Sequence, residues 1–189
     1  TQVRVATLTQ IDGEQILLGK IAEIEGPDPL LIQRIGGVVI GRSPQPGRRR
    51  EIDASVVEWR LKQDRIDPDQ LVLKIPTRFV VERSSIEIKQ EKLKALLSDY
   101  ISQNLINNLS DARIKDIQVS DNLILPDGRI TYTVKPPSND TMTGKIPFTI
   151  NFDVNGKFYK RAWASATIEI FSNVVVTKRP LGRHKPISE

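Results

Sequence analysis

The stretch IPFTINFDVNGKFYKRAWASATIEIF, residues 146–171, decides the fold class. Asn155-Gly156 lies inside it, and both residues tolerate the positive φ of a two-residue hairpin turn. Ile146 to Val154 is therefore expected to pair with Lys157 to Phe171. Upstream, Pro136-Pro137-Ser138-Asn139-Asp140 reads as a polar loop, preceded by strands at Ile114 to Val119, Leu123 to Leu125 and Arg129 to Lys135. Pro126-Asp127-Gly128 turns the chain between the last two. Further back, Leu93, Leu96, Leu97, Tyr100, Ile101 and Leu105 recur with a 3.6-residue period. That spacing predicts the longest helix of the chain, following a strand through Ile86 and Ile88. One helix on a mostly antiparallel sheet is an α+β arrangement.

The first 83 residues predict a small β-rich domain with short helices. Asp12-Gly13 interrupts an alternating stretch from Val3 to Leu18 and reads as a second hairpin turn. Asp28 before Pro29 caps a short helix through Leu30, Leu31, Arg34 and Ile35, closed by Gly36-Gly37. Val38 to Ile40 reads as a strand, and Ser43 to Arg50 as an exposed basic loop. Asp53 or Ser55 caps the next helix, with Ser55 and Glu58 at capping-box spacing and Val57 and Leu61 on one face. Leu71 to Val81 returns to β-structure, and polar residues from Glu82 to Ser85 mark a boundary.

A repeat joins the two ends of the chain. Val38-Val39-Ile40-Gly41-Arg42-Ser43-Pro44 is echoed by Val174-Val175-Val176-Thr177-Lys178-Arg179-Pro180, and Gly47 and Ile52 by Gly182 and Ile187. A strand and a turn bury no core alone, so residues 173–189 read as the opening of a third domain that continues beyond Glu189. The expected domains are therefore 1–83, 84–172 and 173–189.

Leu17-Leu18-Gly19-Lys20-Ile21-Ala22-Glu23-Ile24, Arg42 to Ile52 and Val174 to Ser188 resemble the flagellar basal-body P-ring formation proteins, the FlgA family. The family usually carries an acid where this chain has Lys20. Val174 to Arg183 is similar to the start of that family's C-terminal SAF domain, a β-clip module truncated here. The resemblance implies a periplasmic assembly chaperone, with its signal peptide removed, that binds the P-ring subunit (FlgI) and assists its assembly around the rod. Related SAF modules occur in pilus-assembly proteins and sugar-acid enzymes. They leave a structural protein of a pilus or secretion assembly as the alternative, and a carbohydrate-binding module as a third class.

Composition is ordinary for a folded chain: 39% hydrophobic, 27% charged and a net charge of +5. No apolar run reaches the ~20 residues of a membrane-spanning helix, and Thr1 in place of Met suggests a processed start. The absence of cysteine rules out disulfides and thiolate chemistry. The one histidine, His184, lies among cations that oppose both metal binding and protonation, so it reads as a loop residue. No phosphate loop and no His-carboxylate cluster with metal-ligand spacing occurs, which points away from an enzyme, a metal or another cofactor. The sequons at Asn108 and Asn139 read as coincidence.

Candidate partner-binding residues are Arg42, Arg48, Arg49 and Arg50, with Lys178, Arg179 and Arg183 in the echo. Guanidiniums beside prolines suit bidentate pairing with carboxylates or phosphates. No aromatics for base stacking are interleaved with them, which favours a protein partner over nucleic acid. Trp59 and Trp163 sit in patterns that suggest packing.

Overall fold

The computed structural model describes residues 1–106, 112–138, 143–171 and 173. The protein is α+β, and its buried apolar residues form two clusters, one from Val3 to Val81 and one from Leu93 to Ile168.

The first cluster is enclosed by short elements: β1 (Gln2–Val5), β2 (Leu8–Ile11), β3 (Gln15–Leu17), α1 (Leu18–Ile21), β4 (Ala22–Glu25), α2 (Pro29–Gly36), β5 (Val39–Arg42), β6 (Arg49–Asp53), α3 (Ala54–Gln63), β7 (Val72–Lys74) and β8 (Arg78–Arg83). They form three small sheets, ordered β4-β1-β7, β2-β8-β6 and β3-β5. The expected hairpin at Asp12-Gly13 does not form. β2 pairs parallel with β8, β3 pairs antiparallel with β5, and neither turn residue has positive φ. Parallel pairing places Ile11 in the core with Phe79 and Val81, a burial that a local β2–β3 pair would compete with.

Helix signals fare better because they are local. The Leu30 and Leu31 N–H groups donate to Asp28 Oδ1 at 2.9 and 3.3 Å, with Pro29 in the first turn. Gly37 closes α2 with a right-handed φ of −78°, so its left-handed freedom is not used there. Asp53, not Ser55, caps α3: the Ser55 N–H and Oγ donate to Asp53 Oδ1 at 3.1 and 2.9 Å. These bonds hold the Asp53 carboxyl below its ordinary value of 3.8, the backbone bond contributing most. A lowered folded-state pKa stabilises the fold above 3.8 and loses that contribution as pH falls through the folded value. Asp53→Asn is expected to keep the cap while flattening the acid limb of stability, read from urea midpoints between about pH 2 and pH 6.

The second cluster lies under a four-stranded antiparallel sheet. Its elements are β9 (Ser85–Ile88), α4 (Gln90–Ile101), β10 (Ala112–Val119), β11 (Leu123–Pro126), β12 (Ile130–Lys135), β13 (Gly144–Val154) and β14 (Lys157–Ile170). The sheet order is β10-β14-β13-β12, and β9 with β11 makes a separate ribbon. Leu93, Leu96, Leu97 and Ile101 of α4 are buried, and Tyr100 meets Phe148 edge-on at 6.4 Å. The hairpin turn has the left-handed backbone expected of it, with φ 53° at Asn155 and 77° at Gly156. On the core side of that hairpin, large faces small: Ile146, Phe148 and Ile150 sit opposite Ala166, Ala164 and Ala162.

Between the last strand of the first unit and β9, the Ser84 N–H donates to the Ile11 carbonyl at 2.8 Å. The Gly47 N–H donates to the Arg83 carbonyl at 2.9 Å, and the left-handed φ of 73° at Gly47 brings the β5–β6 turn against Ser85 and Ile124. The second copy of the sequence echo, from Val174 onward, lies outside the described residues, as do both sequons.

Candidate partner-binding surface

The arginine run is not a free loop. Arg49 and Arg50 belong to β6, whose alternation sends them to opposite faces. On one face Arg49 Nε lies 2.7 Å from Glu82 Oε2, and Arg78 Nη1 lies 3.1 Å from Glu51 Oε1. The other face carries Arg50, whose Nη1 donates to the Arg42 carbonyl at 2.9 Å. Arg42 and Arg48 are exposed and form no ion pair among the described residues. Strand pairing therefore divides the basic cluster: Arg49 goes to a surface ion pair worth at most ~1 kcal/mol, while Arg42, Arg48 and Arg50 keep uncompensated charge. Lys178, Arg179, Arg183 and His184 lie outside the described residues.

Both tryptophans are exposed, against the expectation that they pack. Trp59 is 53% exposed with Arg60 4.7 Å above its ring, and Trp163 is 63% exposed. For Trp163 the physical reason is strand parity. Ala162, Ala164, Ala166 and Ile168 of β14 take the core side, so Arg161, Trp163 and Ser165 take the outer face, away from the buried cluster.

There the Arg161 guanidinium lies 5.6 Å from the Trp163 ring while its Nε donates to Asn151 Oδ1 at 3.2 Å. The hydrogen bond restrains the guanidinium, and the guanidinium covers one side of the indole. A third such pair, Arg113 over Phe171 at 5.4 Å, lies at the far end of β14. Exposed indole restrained by arginine is the chemistry of interface anchors: large contact area, few rotamers to lose, and donors aimed outward. The alternation Arg-Ala-Trp-Ala-Ser-Ala was the available signal, since alanine at every second position marks a face packed against larger partners.

A cavity of about 580 Å³ lies in the first unit beside β2 and includes Arg4, Lys20 and Glu23 in its wall. Arg4 lies 3.8 Å from Glu23, which leaves this wall of mixed charge. Among the described residues no group of three or more His, Asp or Glu is placed to hold a metal ion, and no helix is long and apolar enough to cross a membrane. Comparison with protein families, with curated proteins and with solved structures finds no match.

Proposed function

We propose that this chain is an assembly chaperone of the periplasm that binds the flagellar P-ring subunit and keeps it from aggregating until it assembles around the rod. The observation that carries the protein-binding part is the outer face of β14, where Trp163 and Arg161 stand exposed on a polar sheet. The flagellar part rests on the resemblance at Leu17 to Ile24, Arg42 to Ile52 and Val174 to Ser188. A chaperone needs contact surface and a charge that speeds encounter. Arg42, Arg48 and Arg50 supply the second, because exposed charge acts mainly on association.

Surface plasmon resonance of this chain against purified P-ring subunit tests the reading, with light scattering to follow subunit aggregation. Trp163→Ala is expected to weaken binding by about thirtyfold or more, the effect of losing a central anchor. Replacing Arg42, Arg48 and Arg50 with glutamine is expected to slow association and flatten its salt dependence, with little change in dissociation. No binding by the wild-type chain would overturn the assignment.

A further inference from the structure

The outer edge of β12 carries unpaired backbone groups in a defined register. In the antiparallel β12–β13 ladder, Ile130 faces Val154, Tyr132 faces Phe152 and Val134 faces Ile150. The Asn155 N–H donates to the Arg129 carbonyl at 2.9 Å, which makes the 129/155 position a hydrogen-bonded pair. Hydrogen-bonded pairs recur at every second residue, so Thr131, Thr133 and Lys135 spend their N–H and C=O groups on β13. Ile130, Tyr132 and Val134 turn theirs away from the ladder. Among the described residues β12 is the last strand of the sheet, and none of these six groups has a hydrogen-bond partner there.

Side chains at the same three positions point to the core side. Val134 is buried, but Tyr132 is 50% exposed although its ring lies 6.4 Å from that of Phe152. Among the described residues α4 comes closest to β10, at the opposite end of the sheet, and half of the Tyr132 side chain is left uncovered. One more strand would cover that ring and satisfy the three residues together.

Other edges are defended. β10 is broken by an irregularity at Asp116 and flanked by α4, and β6 has Arg50 reaching across to Arg42. β2, β3, β4, β5, β7, β9 and β11 are no longer than four residues. β12 offers six residues without proline, glycine or bulge.

We propose that β12 receives an extended segment of the partner protein as a fifth strand, and that the segment carries acidic residues at its ends. This rests on the protein-binding reading above and names its site. Charge selects the occupant. Arg129 and Lys135 bracket the edge, and neither is in an ion pair among the described residues; the nearest carboxylate in the ladder, Asp153, sits opposite Thr131 on the outer face. A second copy of this chain paired antiparallel about Tyr132 would set Arg129 against Lys135 twice, a like-charge arrangement that disfavours self-pairing. An acidic strand would meet both cations.

The probe is an acetylated heptapeptide of alternating valine and threonine with glutamate at each end, N-methylated at alternate residues so that only one of its edges is free to pair. Titrated into the isotopically labelled full chain, it is expected to bind with a Kd below about 1 mM and to slow exchange of the Ile130, Tyr132 and Val134 amides. Tyr132→Pro removes an edge donor without touching the ladder, and Tyr132→Lys places a charge where the ring is to be covered. Each is expected to weaken binding about tenfold or more, while Thr133→Gln, on the outer face, leaves it within about twofold. No binding at about 1 mM, protection elsewhere, or indifference to both Tyr132 variants would overturn the proposal. If the heptapeptide binds at this edge and the P-ring subunit does not bind the chain, the edge stands and the chaperone assignment falls. If the subunit binds without protecting these amides, β12 is not its site and the proposal falls.

Discussion

Phe148→Ala is expected to cost the second unit ~3–5 kcal/mol, a large part of the ~5–15 kcal/mol that holds a domain folded. Phe148 is 1% exposed, lies at the middle of β13, and meets Tyr100 edge-on. Its partner across the sheet is Ala164. Truncation would set alanine opposite alanine, and the flanking Ile146/Ala166 and Ile150/Ala162 pairs have no spare side chain to fill the space. The cavity would persist, which is the costly case. Because Phe148 belongs to a cluster separate from that of Val3 to Val81, the amides of Ile16 and Phe79 should keep their exchange protection while those of β13 and β14 lose theirs. Trp163→Ala, on the opposite face of the same hairpin, should cost under ~1 kcal/mol. Parallel loss of protection in both clusters would show one cooperative unit, and a cost for Phe148→Ala below ~1.5 kcal/mol would contradict the packing described.

The second large effect lies in the first unit, at the crossing of α1 and α2. A Cβ added at Gly19 would stand 2.9 Å from the Gly36 Cα and 3.1 Å from its carbonyl oxygen. Both obstacles are backbone, so no rotamer change relieves the contact. Leu18 and Ile21 on either side are buried, and the Leu18 N–H is bonded to the Val38 carbonyl at 2.9 Å, so α1 has little freedom to retreat. Gly19→Val is expected to destabilise the unit by ~3 kcal/mol or more, at the upper end of overpacking costs. The reverse contact is asymmetric: a Cβ at Gly36 would meet the Gly19 Cα at 3.6 Å, an ordinary van der Waals distance. Gly36→Ala should therefore stay within ~1 kcal/mol of wild type, with helix propensity in its favour. Urea unfolding of the two variants side by side checks the pair. Equal midpoints for Gly19→Val and wild type would mean that the helices do not approach as closely as described.

Gly19 and Trp163 show where sequence reading succeeds and where it stops. Gly19 lies within Leu17 to Ile24, the stretch that carries the family resemblance, yet nothing local says that its missing Cβ makes room for Gly36, seventeen positions on. Trp163 was legible as one of two alternating sets in β14, and the alanines of the other set were the one local hint of which side is packed. The core side was settled by α4 and β11, which supply Leu93, Leu97 and Leu125 to one face. The arginine cluster was misread for a related reason. Pro44, Pro46 and Gly47 broke the pattern as expected, but a strand paired with residues 78–83 resumed at Arg49 and divided the charges between its faces.

By itself the sequence determined the features whose physics spans a few residues. Asp28 and Asp53 bond to N–H groups two or three positions ahead, Asn155-Gly156 adopts the left-handed turn that joins adjacent strands, and one face of α4 is written in the spacing of its leucines. The tertiary structure alone decided pairings between distant segments. Asp12-Gly13 carries hairpin chemistry, yet β2 lies beside β8, about seventy residues later, because burying Ile11 with Phe79 and Val81 outweighs a local turn preference. The edge of β12, unpaired among the described residues, has the same origin: which groups a strand leaves unpaired depends on its neighbours, which no reading of Ile130 to Lys135 alone contains.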